Sequence, residues 1–199
     1  MLTKTHLRIM QLFVSQITRR FTLRGVGKAL NLHQALAYRA SKQLISDRLI
    51  VPDDGNYILN YKQNHPELAY FEHLRCKEFL SHLKNKALAM FAGEVIEKFP
   101  YGYFVFLIFG SSVESEKPRD IDILVIIEKT DEIETAEKAL YNISRNYTLE
   151  IHPAVISFES VFEMLSSRDE KNLINQVLNK HIILYGAELF YRLIKTGRR

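Results

Sequence analysis

The chain has 199 residues, enough for one domain of ordinary size or two small ones, and 47% of them are hydrophobic, which excludes wholesale disorder. Its single cysteine, Cys76, excludes a disulfide framework and a cysteine-based zinc site. The first residues lack the apolar core of a signal peptide, and the longest apolar stretch, 101–109, is too short to cross a bilayer. We therefore expect a cytoplasmic protein with no membrane attachment.

The net charge of +4 is unevenly distributed along the chain. Residues 1–65 contain ten Lys and Arg against three Asp, a balance of +7, whereas residues 66–199 have a balance of −3. A basic segment attached to a slightly acidic one favours a polyanionic partner for the basic segment. The alternative is chance surface charge on a small domain.

Helical spacing of apolar residues predicts a first helix over 7–17, and a short second helix is expected around 26–30. Asn31 suits a turn or a helix N-cap, and a longer helix is predicted over 34–47. The inner side of that helix is expected to carry Leu36, Ala40, Leu44 and Ile45. Two short apolar runs on either side of 52–56 predict a β-hairpin.

Helix, short helix, turn, longer helix and hairpin is the element order of a winged helix-turn-helix domain, and residues 1–65 resemble that family in pattern. The resemblance implies that the helix beginning at Gln34 enters the major groove of DNA and that the hairpin tip is the wing. The residues expected to face the DNA are Lys28, His33, Gln34, Ala37, Tyr38, Arg39, Ser41 and Lys42. Gln34 and Tyr38 would reach base edges, and the basic side chains would contact phosphates. Such domains also serve as dimerisation or protein-interaction modules, which remains an alternative.

Pro66 suits the first turn of a helix, and helical patterns over 67–85 and 86–99 predict a helical connector, residues 66–100. Residues 101–199 form the third predicted unit. Its expected elements are apolar strands over 104–109 and 120–127, a helix over 131–146, a strand over 149–156, helices over 158–165 and 171–179, a strand over 181–184 and a final helix from Ala187. Pro153 marks the strand over 149–156 as an edge strand or a bulged one.

Two carboxylates open the second apolar strand of this unit. Asp120 and Asp122 are two residues apart, so in an extended strand both side chains project from the same face. Like charges held together oppose each other's ionisation, and a divalent cation bound by oxygen ligands would compensate them. The preceding strand ends at Gly110-Ser111, where backbone N–H groups and the hydroxyls of Ser111 and Ser112 would suit phosphate oxygens. A phosphate-binding turn beside paired aspartates indicates phosphoryl or nucleotidyl transfer.

Gly110-Ser111, eight intervening residues and Asp120-Ile121-Asp122 resemble the Gly-Ser…Asp-x-Asp signature of the DNA polymerase beta-like nucleotidyltransferase superfamily, and within it the minimal nucleotidyltransferases of prokaryotes. The resemblance implies that the Gly-Ser turn binds nucleotide phosphates and that the aspartates bind a divalent metal, Mg2+ or Mn2+. It also implies a third carboxylate ligand on a later strand, for which Glu150 is the candidate. The chain departs from the family pattern in this Glu, where Asp is commoner, and in Ser115, where Gly is usual.

Three further polar residues lie close to this signature in the sequence. His152 shares a strand face with Glu150, and we expect it to be a structural histidine. Lys117 and Arg119 lie beside the aspartates in the sequence, where they would either contact triphosphate oxygens or face water.

With these resemblances, the sequence predicts an α+β protein with an N-terminal winged helix-turn-helix domain, a helical connector and a small mixed β-sheet nucleotidyltransferase domain flanked by helices. The expected function is Mg-dependent transfer of an NMP from an NTP to a hydroxyl acceptor, in a DNA-binding protein that is a candidate homodimer. Two alternatives stay open. The chain would be a DNA-binding transcriptional regulator with a weak or inactive, nucleotide-sensing transferase-like domain, or one component of a toxin–antitoxin pair.

Overall fold

A computed structural model of the protein describes residues 2–82, 85–114, 120–167 and 171–198. Its helices are α1 (Lys4–Ser15), α2 (Leu23–Ala29), α3 (Gln34–Ser46), α4 (His65–Ser81), α5 (Lys86–Lys98), α6 (Ile133–Ser144), α7 (Phe158–Ser166), α8 (Leu173–Val177) and α9 (Ala187–Gly197). Its strands are β1 (Ile50–Asp53), β2 (Asn56–Leu59), β3 (Phe104–Phe109), β4 (Ile121–Ile127), β5 (Ile151–Ser157) and β6 (His181–Tyr185). The predicted α+β class is confirmed. Among the described helices, none has both the length and the apolar character that crossing a bilayer requires.

Strands β3 to β6 form a small mixed sheet in the order β5-β4-β3-β6. Strand β3 is antiparallel to both β4 and β6, whereas β4 and β5 are parallel because α6 carries the chain back across the sheet. Strand β5 therefore lies at an edge, as Pro153 predicts, since proline cannot donate a hydrogen bond within a sheet.

Alternation along β3 and β4 gives this sheet two apolar faces. On the first face, Phe106 and Val125 belong to a buried cluster that includes Phe91 of α5 and Leu140 of α6. On the second face lies another cluster, to which the sheet contributes Val105, Leu107, Leu124, Ile126 and Ile183. That cluster also draws residues from α1, α4, α7, α8 and α9, so helices cover both faces.

Residues 1–65 contain three helices and a hairpin. The β1–β2 turn places Asp54 and Gly55 at positive φ, 47° and 73°, which suits the tight turns of two-stranded hairpins. Phe21 adds an antiparallel bridge to Tyr57. The buried stripe of α3 consists of Ala37, Ala40, Ser41 and Leu44.

The orientation of α3 corrects part of the sequence prediction. Ala37 and Ser41, expected to face DNA, are fully buried, and Leu36, expected inside, is 45% exposed. Ala40 and Leu44, expected inside, are buried as predicted, so the buried stripe is shifted by only part of a residue step toward Ala37 and Ser41. Small residues at the buried positions allow α3 to lie close to its neighbours.

The N-terminal elements pack directly on the rest of the chain. The backbone N–H of Ile17 donates to the carbonyl of Leu178 at 2.9 Å, and Thr18 exchanges two hydrogen bonds with the side chain of Asn179. The buried cluster on the second face runs without interruption from Phe13 in α1 into the sheet. The boundary at residue 65 stays a prediction, and apolar contacts cross it.

A buried polar network joins α4 to β6 and α9. The carboxylate of Glu72 accepts hydrogen bonds from Arg75 at 2.6 Å, His181 at 3.1 Å and Tyr191 at 2.9 Å. The second ring nitrogen of His181 lies 2.6 Å from the carbonyl oxygen of Val177. Burial by itself would raise the pKa of Glu72, but electrostatic attraction to Arg75 and His181 and the hydrogen bonds from His181 and Tyr191 hold that pKa below its ordinary value.

Candidate functional site

The turn after β3 is built on Gly110. This residue has a φ of 73°, and a Cβ added to it would lie 2.7 Å from Oδ2 of Asp122, so both backbone and space require glycine. A single 3₁₀ turn, Gly110–Val113, follows. Ser111 is exposed on this turn, whereas Ser112 is buried and donates to the carbonyl of Phe109 at 2.9 Å. Ser111 is thus open to a ligand, and the hydroxyl of Ser112 stabilises the turn, which does not support the phosphate contact predicted for it.

The two aspartates lie where β4 begins. Asp122 is paired with Phe109 across the antiparallel β3–β4 ladder, and Asp120 immediately precedes the strand. Alternation directs Ile121 and Ile123 into the cluster on the first face of the sheet, so the aspartates project from the second face. Their side chains are 38% and 30% exposed, which leaves both carboxylates accessible from solvent.

Strand β5 brings a histidine beside them. His152 is the register partner of Asp122 in the parallel β4–β5 ladder. Its Nδ1 lies 3.5 Å from Oδ2 of Asp120 and 3.9 Å from Oδ1 of Asp122. One ligand atom from each of these three residues lies within 4.8 Å of the other two, so the group could hold a metal ion. The structural role predicted for His152 finds no support here, because its side chain is 55% exposed and faces carboxylates.

Glu150, the predicted third carboxylate, lies on the far side of the histidine ring. Its Oε1 is 3.8 Å from Nε2 of His152, whereas Nδ1 of the same ring faces the aspartates. The side chain of Glu150 is 69% exposed, and its carbonyl accepts from the backbone N–H of Ile121 at 2.8 Å. The four polar residues share one face, with the imidazole between Glu150 and the two aspartates.

Lys180 adds a positive charge that sequence reasoning missed. It precedes β6, whose first residue, His181, is paired with Phe109 at the end of β3. Its Nζ lies 2.8 Å from Oε2 of Glu114, so the ammonium group stands beside the Gly110 turn. Pairing of β6 with β3 brings Lys180 close to the Gly110 turn, and no local sequence pattern around Lys180 predicts this. Ser115, Lys117 and Arg119 lie outside the described residues.

The side chains of Asp120, Asp122 and His152 are all partly exposed to solvent. A cavity of about 700 Å3, lined by Tyr103, Tyr185 and Arg192 among others, lies at the opposite end of β3 from Gly110. Gly186, at a φ of 78°, is the N-cap of α9 beside this cavity. The candidate metal centre is therefore an open surface site.

The residues predicted to contact DNA lie on α2 and α3 and on the turn between them. Those that the structure leaves exposed are Lys28, His33, Gln34, Tyr38, Arg39 and Lys42. The ammonium group of Lys42 lies 4.9 Å from the centre of the Tyr38 ring, and the amide of Gln34 donates to the carbonyl of Arg24 at 3.3 Å. Gln34 thus ties α3 to α2.

Comparison of the chain with protein-family models, with curated proteins and with solved structures finds no match. The candidate function rests on the geometry of the chain itself.

Proposed function

We propose that this protein is a metal-dependent nucleotidyltransferase that moves an NMP group from an NTP to a hydroxyl acceptor. The observation that supports it best is the short distance between Asp122 and Gly110. It places the two aspartates at the start of β4 beside the glycine turn that carries the exposed Ser111. A mixed sheet with an antiparallel β3–β4 pair and a parallel β4–β5 pair also suits the minimal nucleotidyltransferases that the signature resembles.

The roles of the residues follow from their chemistry. Asp120 and Asp122 would hold Mg2+ or Mn2+, which when bound neutralises triphosphate charge and lowers the pKa of the attacking hydroxyl. Ser111 and the N–H groups of its turn would orient the phosphates, and Lys180 would face their negative charge. The acceptor hydroxyl releases its proton to water as its oxygen forms a bond to the α-phosphorus; the bond from that phosphorus to the bridging oxygen breaks, and pyrophosphate leaves with that electron pair.

A transfer assay tests this proposal. The protein is incubated with each α-labelled NTP, MgCl2 or MnCl2, and a cell extract as the source of acceptors, and both label transfer and pyrophosphate are measured. We expect metal-dependent transfer from at least one NTP, abolished by EDTA. Absence of transfer and of metal-dependent binding of all four NTPs would refute the proposal.

DNA binding through α3 is a second candidate function, which the transcriptional-regulator alternative shares. The exposed surface of α2 and α3 concentrates Arg24, Lys28, Arg39 and Lys42, together with Tyr38, and none of the carboxylates of residues 1–65 lies within these two helices. The β1–β2 hairpin follows α3 at the position that a wing occupies in winged helix-turn-helix domains, which this segment resembles. The side-chain pair of Arg20 with Asp53 neutralises one charge on that hairpin.

Lys42→Ala is expected to weaken DNA binding and to lower the slope of log affinity against log salt concentration by about one, because one phosphate contact is lost. The measurement is a fluorescence-anisotropy titration of a random-sequence duplex between low and moderate salt. Lys138→Ala, which removes an exposed lysine from α6, is the matched control and should change neither quantity. Binding that is insensitive to salt would contradict this function.

A further inference from the structure

His152 places a nitrogen ligand at the spacing that a shared ion requires. Its Nδ1 is 3.5 Å and 3.9 Å from the nearest oxygens of Asp120 and Asp122. Bonds of about 2.1 Å separate neighbouring ligand atoms by about 3.0 to 3.4 Å in octahedral or tetrahedral coordination. Small side-chain rotations therefore bring the three atoms onto one ion.

The backbone holds this arrangement in place. Asp122 and His152 are register partners on adjacent parallel strands, and both strands are anchored by apolar neighbours such as Ile123 and Val155. Ligands carried by regular strands keep their relative position better than ligands on loops. The proximity of the nitrogen to the aspartates is thus a consequence of strand pairing.

Glu150 stands where an orienting carboxylate is found in many metal sites. The ring of His152 directs Nδ1 to the aspartates and Nε2 to Glu150, whose Oε1 is 3.8 Å away. Metal-bound histidines usually donate their other N–H to a carboxylate, which fixes the ring and strengthens the ligand. In this arrangement Glu150 orients the ring of His152 and does not itself contact the ion.

We propose that His152 is a direct metal ligand, that Glu150 is a positioning residue for it, and that the site selects a first-row transition ion such as Mn2+ over Mg2+. Imidazole favours transition ions, whereas Mg2+ favours oxygen ligands alone. The inference rests on the proposed function in taking Asp120 and Asp122 as cation ligands. It changes the set of metal ligands that the sequence resemblance implies, because Glu150 is no longer assigned as a direct ligand.

Binding of Mn2+ to the whole chain, without nucleotide, tests this inference. Affinity is measured from the loss of the free-ion EPR signal, and Mg2+ is added as a competitor. Electron spin echo modulation then reports whether a 14N nucleus is bound to the ion. We expect Mn2+ to bind at least about 10-fold more tightly than Mg2+. His152→Ala should lower Mn2+ affinity by about 10-fold or more, leave Mg2+ affinity nearly unchanged and abolish the 14N modulation.

Two further variants complete the design. His73→Ala, which removes an exposed histidine from α4, should leave both affinities and the 14N modulation unchanged. Glu150→Gln should weaken Mn2+ binding by about 10-fold but retain the modulation, because the imidazole still binds.

Several results would overturn the inference. The first is the absence of Mn2+ binding, and the second is 14N modulation that persists in His152→Ala. The third is a pattern in which Glu150→Gln loses Mn2+ and Mg2+ affinity equally, whereas His152→Ala loses neither. The last would make Glu150 the direct ligand. Failure of the transfer assay while His152-dependent Mn2+ binding persists would refute only the proposed function. Mn2+-supported transfer at limiting Mn2+ that is unaffected by His152→Ala would refute only this inference.

Discussion

Asp122→Asn is expected to reduce nucleotidyl transfer by about 10³-fold while leaving the fold intact. The amide keeps the shape of the carboxylate but removes the negative charge that holds the cation, so stabilisation of the charge that develops on the triphosphate is lost. Because the side chain is 30% exposed, no buried group loses its partner. Removal of one of two adjacent like charges should leave thermal stability unchanged or slightly higher.

The measurement pairs the initial rate of label transfer with the midpoint of thermal unfolding. Asp131→Asn is the matched control, since Asp131 is an exposed aspartate beyond the opposite end of β4, and it should change neither quantity. Transfer at the unaltered rate in Asp122→Asn would remove this residue from the reaction. A large loss of stability would instead identify it as part of the structural framework.

Glu72→Gln is expected to lower the free energy of unfolding by about 3–5 kcal/mol, because it leaves Arg75 without its buried counter-charge and weakens the hydrogen bond to His181. Tyr191→Phe removes only one donor to the same carboxylate and should cost about 1 kcal/mol. Urea titrations followed by circular dichroism measure both. Glu78→Gln, at an exposed position on the same helix, should change stability by less than about 0.5 kcal/mol.

The stability contributed by Glu72 should also depend on pH in a defined direction. Its pKa in the folded chain lies below the ordinary value of 4.5, despite burial, because Arg75 and His181 stabilise the carboxylate. The contribution is therefore complete above about pH 4.5 and is lost as the pH falls through the lower, folded-state pKa. The difference in unfolding free energy between the native chain and Glu72→Gln should shrink on acidification. A difference that stays constant from pH 7 to pH 3 would contradict the assignment.

Much of the fold could be predicted because local pattern and tertiary context agree. The apolar runs before Gly110 and after Asp120 are strands, and the turn at Asp54-Gly55 closes the predicted hairpin. Pro153 correctly marks an edge strand. The inner face of α3 is predicted correctly at Ala40 and Leu44 and wrongly at Leu36, because Ala37 and Ser41 are small and weakly apolar and the more hydrophobic Leu36 dominates the pattern.

The site was predictable in part. Spacing alone places Asp120 and Asp122 on one face, but the register of β5 against β4 depends on the crossover through α6, which no local pattern specifies. The partner of Asp122 is His152 and not Glu150 for that reason. Lys180 reaches the Gly110 turn only because β6 pairs with β3.

The contacts of Ile17 and Thr18 with Leu178 and Asn179 have a consequence for regulation. They tie the end of α1 to the residues immediately before Lys180, and a continuous apolar cluster lies behind them. A polyanion lying along α3 would thus keep a constant orientation relative to the acidic centre. A polyanion bound to α3 would therefore influence the centre at Asp120 and Asp122 by limiting which substrates can reach it. It would not need to bend the chain between α3 and that centre.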